Sequence, residues 1–138
     1  MNREENIKQL IRAAIEAKKR AYVPYSGFSV GAALETEDGS IYTGCNIENA
    51  AYTPTVCAER VAIFKAISEG KKSIARIAVV AGEEMSFPCG VCRQVIREFG
   101  ADAEVIVAKD AETYSIYSVA ELLPHSFGPE DLGGDYDV

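Results

Sequence analysis

The sequence predicts an α/β fold, a three-layer α/β/α sandwich around a five-stranded mixed sheet. An amphipathic helical period runs over roughly 4–20, a hairpin pattern flanks Asp38-Gly39, and from Cys57 onward strand-like and helix-like segments alternate. At 138 residues the chain has the size of one domain with a real core. No internal repeat or linker divides it, so residues 1–138 are read as a single domain.

Each element has its own warrant. Ile7, Leu10, Ile11, Ala14 and Ile15 recur at helical spacing among charged residues and predict one buried stripe. Val23-Pro24-Tyr25-Ser26-Gly27 breaks that period. Phe28, Val30, Ala32 and Leu34 then alternate with smaller or polar residues, and Ile41–Cys45 returns as the second strand of a hairpin. Cys57 to about Ser68 reads as a well-buried helix, with Val61, Ile63, Phe64 and Ile67 turned inward. The short apolar run Ile74–Val80 suits a central strand covered on both faces. Pro88 opens a further helix with Val91, Val95, Ile96 and Phe99 on one side and Arg93, Gln94, Arg97 and Glu98 on the other. Val105–Ala108 and Thr113–Tyr117 complete the strands. Ser118-Val119-Ala120-Glu121 has the form of a capping box for a short last helix ended by Pro124. Residues 128–138, acidic and rich in glycine, read as a loose tail.

Composition narrows the function. No apolar run approaches the length of a membrane span, and Met1–Glu5 carries no hydrophobic signal region, so the expectation is a soluble, cytoplasmic protein with no membrane partner. The net charge is −7, from 14 basic and 21 acidic residues. A protein that grips phosphates needs basic side chains to displace counterions, so this balance favours a small uncharged substrate over nucleic acid.

The chemistry is concentrated in two cysteine clusters, Cys57-Ala58-Glu59-Arg60 and Pro88-Cys89-Gly90-Val91-Cys92. Four cysteines in a cytosolic chain suggest a metal or catalytic role before a disulfide framework. Cys57, Cys89 and Cys92 offer three thiolates, which leave a tetrahedral zinc one ligand short, the open position of a catalytic site. Both clusters fall at helix starts, where unpaired N–H groups favour thiolate over thiol. Glu59 is placed as the proton carrier, and Arg60 as the charge that offsets the excess of thiolates or, more simply, as a surface ion-pair partner. Two rivals stand beside this reading. Cys-x-x-Cys alone also suits a redox dithiol, and Cys45 as a fourth ligand gives a closed structural zinc; otherwise Cys45 is a small buried apolar side chain. His125, the only histidine, reads as a surface residue.

Cys-Ala-Glu with Pro-Cys-x-x-Cys resembles the zinc-dependent cytidine deaminases, specifically the small homotetrameric type, and the similarity runs from about Tyr25 to Phe127. It includes Pro24-Tyr25-Ser26 followed by Phe28, then Asn46-x-Glu48-Asn49-Ala50, then Cys-Ala-Glu-Arg. The resemblance implies one Zn²⁺ per subunit and hydrolytic deamination of free cytidine or deoxycytidine to uridine or deoxyuridine, with release of ammonia, in pyrimidine salvage. It implies that Phe28 packs on the pyrimidine, that Asn46 and Glu48 hydrogen-bond the ribose 3′-hydroxyl, and that the Ala58 N–H meets the base edge. It also implies a homotetramer with shared sites, to which Ala50, Tyr52 and Phe127 come from neighbouring subunits. A related deaminase for modified cytosine nucleosides remains the alternative within the same chemistry.

Overall fold

The computed structural model describes residues 2–133. Helix α1 (Arg3–Lys18) is capped by Asn2, whose side chain accepts from the Glu5 N–H at 2.9 Å. Strands β1 (Val30–Thr36) and β2 (Ile41–Cys45) form the expected antiparallel hairpin. Helix α2 (Ala58–Ser68) and β3 (Ile74–Ala81) follow, then α3 (Gly90–Phe99), β4 (Glu104–Asp110), β5 (Thr113–Ser118) and the short α4 (Val119–Leu122). The sheet runs in the order β2-β1-β3-β4-β5. Only the β3/β4 pair is parallel, as the α3 crossover between them requires; the other pairs are antiparallel.

Strand alternation divides the core between the two faces. Ala33, Ala78, Val80, Ile106 and Ala108 meet the α1 stripe of Ile7, Leu10, Ile11 and Ala14. Ala32, Leu34, Ile77, Val105 and Val107 face Ala58, Ala62, Ile63 and Ala66 of α2 and Ile96 of α3. Each fully buried Ile or Leu contributes about 1.5–3 kcal/mol by leaving water, so the α1 stripe alone is sufficient reason for that helix to dock.

Three expectations need correction. Phe28 precedes β1 and is 47% exposed, so the buried alternation begins at Val30 and covers both faces of the strand. On α2 the inward residues are Ala58, Glu59, Ala62, Ile63 and Ala66, while Phe64 is 47% exposed. Small side chains let the helix lie close to β2: a Cβ on Gly44 would stand 2.5 Å from the Ala58 carbonyl oxygen. A helix face of alanines has little contrast in hydrophobicity, and for that reason the larger residues misled the sequence reading. Finally, the start of the supposed loose tail is built: Pro129–Leu132 is a 3-10 helix, with the Gly128 N–H donating to Asp131 at 2.8 Å. The rest of that stretch, 134–138, lies outside the described residues. Among the described residues no helix is long and apolar enough to cross a membrane.

Candidate active site and metal centre

The topology gathers the chemistry at one end of the sheet. Register pairs Val30 at the start of β1 with Ala81 at the end of β3, and Gly31 with Cys45 at the end of β2. Beyond β2, Ile47 and Val56 exchange backbone hydrogen bonds of 3.0 Å, which brings Asn46 and Glu48 beside the segment leading into Cys57. Cys57 is the N-cap of α2 and Cys89 the N-cap of α3, both with extended backbone and neither using its side chain to cap the helix. Cys92 lies in the first turn of α3 and is buried. The sulfurs are thus free to face a common point, with the positive ends of two helix dipoles behind them.

The sulfurs of Cys57, Cys89 and Cys92 all lie within 4.8 Å of one another, and the Cys57–Cys89 separation is 3.8 Å. A tetrahedron with Zn–S bonds of about 2.3 Å has an edge of about 3.8 Å. A disulfide needs about 2.05 Å. The donor set therefore fits one Zn²⁺, and Cys89 and Cys92 are free thiols in this structure. Among the described residues Cys45 is not part of the cluster, which removes the closed four-cysteine reading.

Charge at the cluster is tightly coupled. A hydrogen bond from the Cys92 thiol, with help from Arg60 and Cys89, pulls Cys57 down to about 5, while the same contact, burial and the nearby Glu59 carboxylate push Cys92 up. Arg60 Nη2 donates to Cys57 Sγ at 3.3 Å, and this bond raises the guanidinium further above its ordinary value. Among the described residues Arg60 forms no ion pair with a carboxylate; its guanidinium faces the Cys57 sulfur. Glu59 is 3% exposed. Burial, reinforced by the Cys57 charge, pushes its carboxyl up to about 7, where it can both take and give a proton near neutral pH.

Around this centre the remaining predicted residues occupy distinct positions. Ala58 opens α2, where backbone N–H groups have no partner within the helix. Asn46 Nδ2 donates to the Phe28 carbonyl and its Oδ1 accepts from the Val30 N–H, both at 2.9 Å. Glu48 accepts from the Tyr25 and Ser26 N–H groups, at 3.0 and 3.1 Å, and from the Ser26 hydroxyl; these bonds, the hydroxyl first, hold its carboxyl below the usual range. Both residues expected at the ribose therefore also shape the loop that carries Phe28. Gly82, at φ +59°, backs that ring so closely that a Cβ there would stand 2.7 Å from Phe28 Cε1. Tyr52 has φ +63°, an unusual conformation for a bulky residue, and meets Tyr25 edge to face at 6.5 Å. Ala50, Tyr52 and Phe127 are exposed in the single subunit, as is His125.

An open cleft of about 370 Å³ is lined by Tyr25, Ser26, Glu48, Asn49, Tyr52 and Thr55. A larger one, about 560 Å³, lies at the opposite end of β3 among residues such as Lys71, Ile74, Glu98 and Asp102. Neither cleft is lined by a cysteine, but the smaller one contains Glu48 and lies at the end of the sheet that carries the cysteines.

Ser26, Gly82 and Arg93 were not singled out from the sequence. Arg93 Nε donates to the Pro88 carbonyl, just before ligand Cys89, at 2.8 Å. The helical pattern placed Arg93 on a polar face without showing what that face would touch.

Three converging cysteines, which would leave a tetrahedral zinc one ligand short, and a buried carboxyl group beside them define a mononuclear metal centre of the catalytic kind. Residues 4–109 match the family model for the cytidine and deoxycytidylate deaminase zinc-binding region, and the chain belongs to that family. It is 50% identical over 129 residues to a cytidine deaminase of Sporosarcina psychrophila, covering 92% of this chain and 95% of the relative. It is also 50% identical to that of Halalkalibacterium halodurans, over 125 residues, covering 89% and 95%. The crystal structure of cytidine deaminase from Burkholderia pseudomallei superposes with a TM-score of 0.83 at 43% identity, covering 92% of this chain and all of that one.

Proposed function

We propose that this protein is a cytidine deaminase, which hydrolyses the C4 amino group of free cytidine and deoxycytidine to give uridine and deoxyuridine with release of ammonia. The observation that carries the reading is Glu59, a carboxyl group 3% exposed, next but one in sequence to Cys57 and beside the three converging cysteines. A Zn²⁺ held by Cys57, Cys89 and Cys92 supplies a Lewis acid that lowers the pKa of the attacking water. Glu59 receives one proton of that water at a carboxyl oxygen and delivers it to ring N3; once the oxygen is bonded to C4, Glu59 takes the remaining hydroxyl proton and passes it to the amino group, which leaves as ammonia as the C4–N bond breaks. Its burial keeps bulk water from competing for the proton. Arg60 draws off part of the thiolate charge through its bond to Cys57. The Ala58 N–H meets the base edge, Phe28 presents a ring to the pyrimidine, and Asn46 and Glu48 use their remaining hydrogen-bonding capacity on the ribose 3′-hydroxyl.

The enzyme acts as a homotetramer in the cytoplasm, in pyrimidine salvage, with free nucleoside and water as its partners and neither nucleic acid nor membrane. Supporting assembly, Phe64 of α2 and Val91 of α3 stand 47% and 58% exposed on helices. The open cleft needs further cover to exclude water, and Ala50, Tyr52 and Phe127 are available to provide it from adjacent subunits.

The test is ammonia release across cytidine, deoxycytidine, cytosine, a cytosine nucleotide and single-stranded DNA. Turnover of the two nucleosides with little on the rest is expected. Turnover confined to the polymer overturns the substrate assignment.

A further inference from the structure

On the polar face of α3, Arg93, Gln94 and Arg97 all reach one neighbour, the chain from the end of α4 onward. Arg93 Nη1 donates to the Leu122 carbonyl at 2.7 Å, while its Nε holds the Pro88 carbonyl at 2.8 Å. The next residue, Gln94, donates through Nε2 to the Phe127 carbonyl at 2.9 Å. Arg97 Nε donates to Ser126 Oγ at 2.9 Å, and its guanidinium also pairs with Glu130. Gly128 is buried flat against that guanidinium; a Cβ there would lie 2.4 Å from Arg97 Cζ. Arg93 and Gln94 thus hold the backbone carbonyls of Leu122 and Phe127, and Arg97 holds the side chains of Ser126 and Glu130, while Phe127 stays 57% exposed. The backbone is held and the ring is left free, the arrangement of an aromatic presented to something outside the subunit.

We propose that Arg93, Gln94 and Arg97 form a positioning clamp that sets the C-terminal strap, and with it the Phe127 ring, in fixed register to the metal-ligating end of α3. Gln94 is its most direct member, because its side chain donates to the Phe127 carbonyl itself. The inference rests on the reading that Phe127 closes the nucleoside site of an adjacent subunit. Through the clamp, the helix that supplies Cys89 and Cys92 to its own site also sets the geometry of a neighbour's. Gln94 is a positioning residue: it acts on substrate only through Phe127.

The test compares Gln94→Glu, Phe127→Ala and the double variant in the zinc-loaded oligomer. Gln94→Glu keeps the shape of an exposed side chain but replaces the donor with a carboxylate that faces the Phe127 carbonyl; Arg97→Lys, which keeps the charge but loses the fork, is the second probe. Hydrogen exchange over 122–132 reads the strap directly, and faster exchange in Gln94→Glu, by roughly threefold to tenfold, is expected for one lost hydrogen bond. KM for cytidine should rise by a similar factor with kcat and zinc content little changed, and the double variant should be no worse than Phe127→Ala. Unchanged exchange in both Gln94→Glu and Arg97→Lys overturns the clamp. Faster exchange without a KM change, when Phe127→Ala does raise KM, overturns its role in positioning. If Phe127→Ala leaves KM unaltered, the assignment of Phe127 to a site fails and the functional half of the inference falls with it; exchange still reports separately on the clamp.

Discussion

Asn46 bridges both sides of the loop that carries Phe28, donating to the Phe28 carbonyl and accepting from the Val30 N–H, each at 2.9 Å. The polar residue assigned to the ribose and the aromatic assigned to the base are therefore not independent. A double-mutant cycle should show it: Phe28→Ala and Asn46→Ala each raise KM for cytidine, but together they cost less than the sum, with a coupling of roughly 0.5–1.5 kcal/mol. Strict additivity in KM contradicts the link. Asn46→Ala should also narrow the preference for cytidine over an analogue lacking the 3′-hydroxyl.

Stability of the metal-free protein should carry the mark of Glu59. Burial raises its carboxyl from an ordinary 4.5 to about 7. The protonated form is thus the one the fold favours: the contribution is fully present below about 4.5 and is lost as pH rises through 7. Cys57, pulled down to about 5, runs the other way, but to first order it is shared by parent and variant. Glu59→Gln is neutral at every pH, so its metal-free Tm should match the parent near pH 4.5 and exceed it by on the order of 5–10 °C at pH 8. A gap that does not change with pH contradicts the burial argument.

Cys89→Ala should lose zinc and stability together, because metal affinity is partly folding free energy. The parent should melt several degrees lower after chelation, and the variant should melt at the same temperature with and without chelator. Full zinc stoichiometry in the variant would remove Cys89 from the ligand set.

Subunits of Glu59→Gln and Phe127→Ala, refolded together, should regain part of the activity that each lacks, since some sites then pair an intact Glu59 with an intact Phe127 from another chain. Activity no higher than the average of the two parents, with subunit exchange demonstrated, returns Phe127 to its own subunit.

The sheet and the metal centre were legible because their signals are local. Alternation in Val30–Leu34, the run Ile74–Val80 and the Ser118 capping box each act within a few residues, and Cys57, Cys89 and Cys92 stand at helix starts that the flanking sequence marks. The inward face of α2 was not legible, because Ala58 and Ala62 suit the close approach to Gly44 and offer little hydrophobic contrast. Nor were the duties of Arg93 and Arg97. A polar helix face reads as solvated until its partners are known, and Leu122, Ser126 and Glu130 lie some thirty residues downstream. Glu48 shows the same limit, since nothing in its own surroundings predicts three donors from Tyr25 and Ser26.

The central claim is that Glu59 moves the protons of a zinc-dependent deamination, and Glu59→Gln tests it most directly. Zinc content and ammonia release from cytidine are measured on the same preparation. The amide is isosteric and keeps the ligands untouched, so one zinc per subunit should remain. It can neither accept the proton of the water nor give one to ring N3, so kcat should fall by at least about a hundredfold, the usual minimum for losing a general acid–base. A zinc-replete variant with activity within a few-fold of the parent would contradict the account.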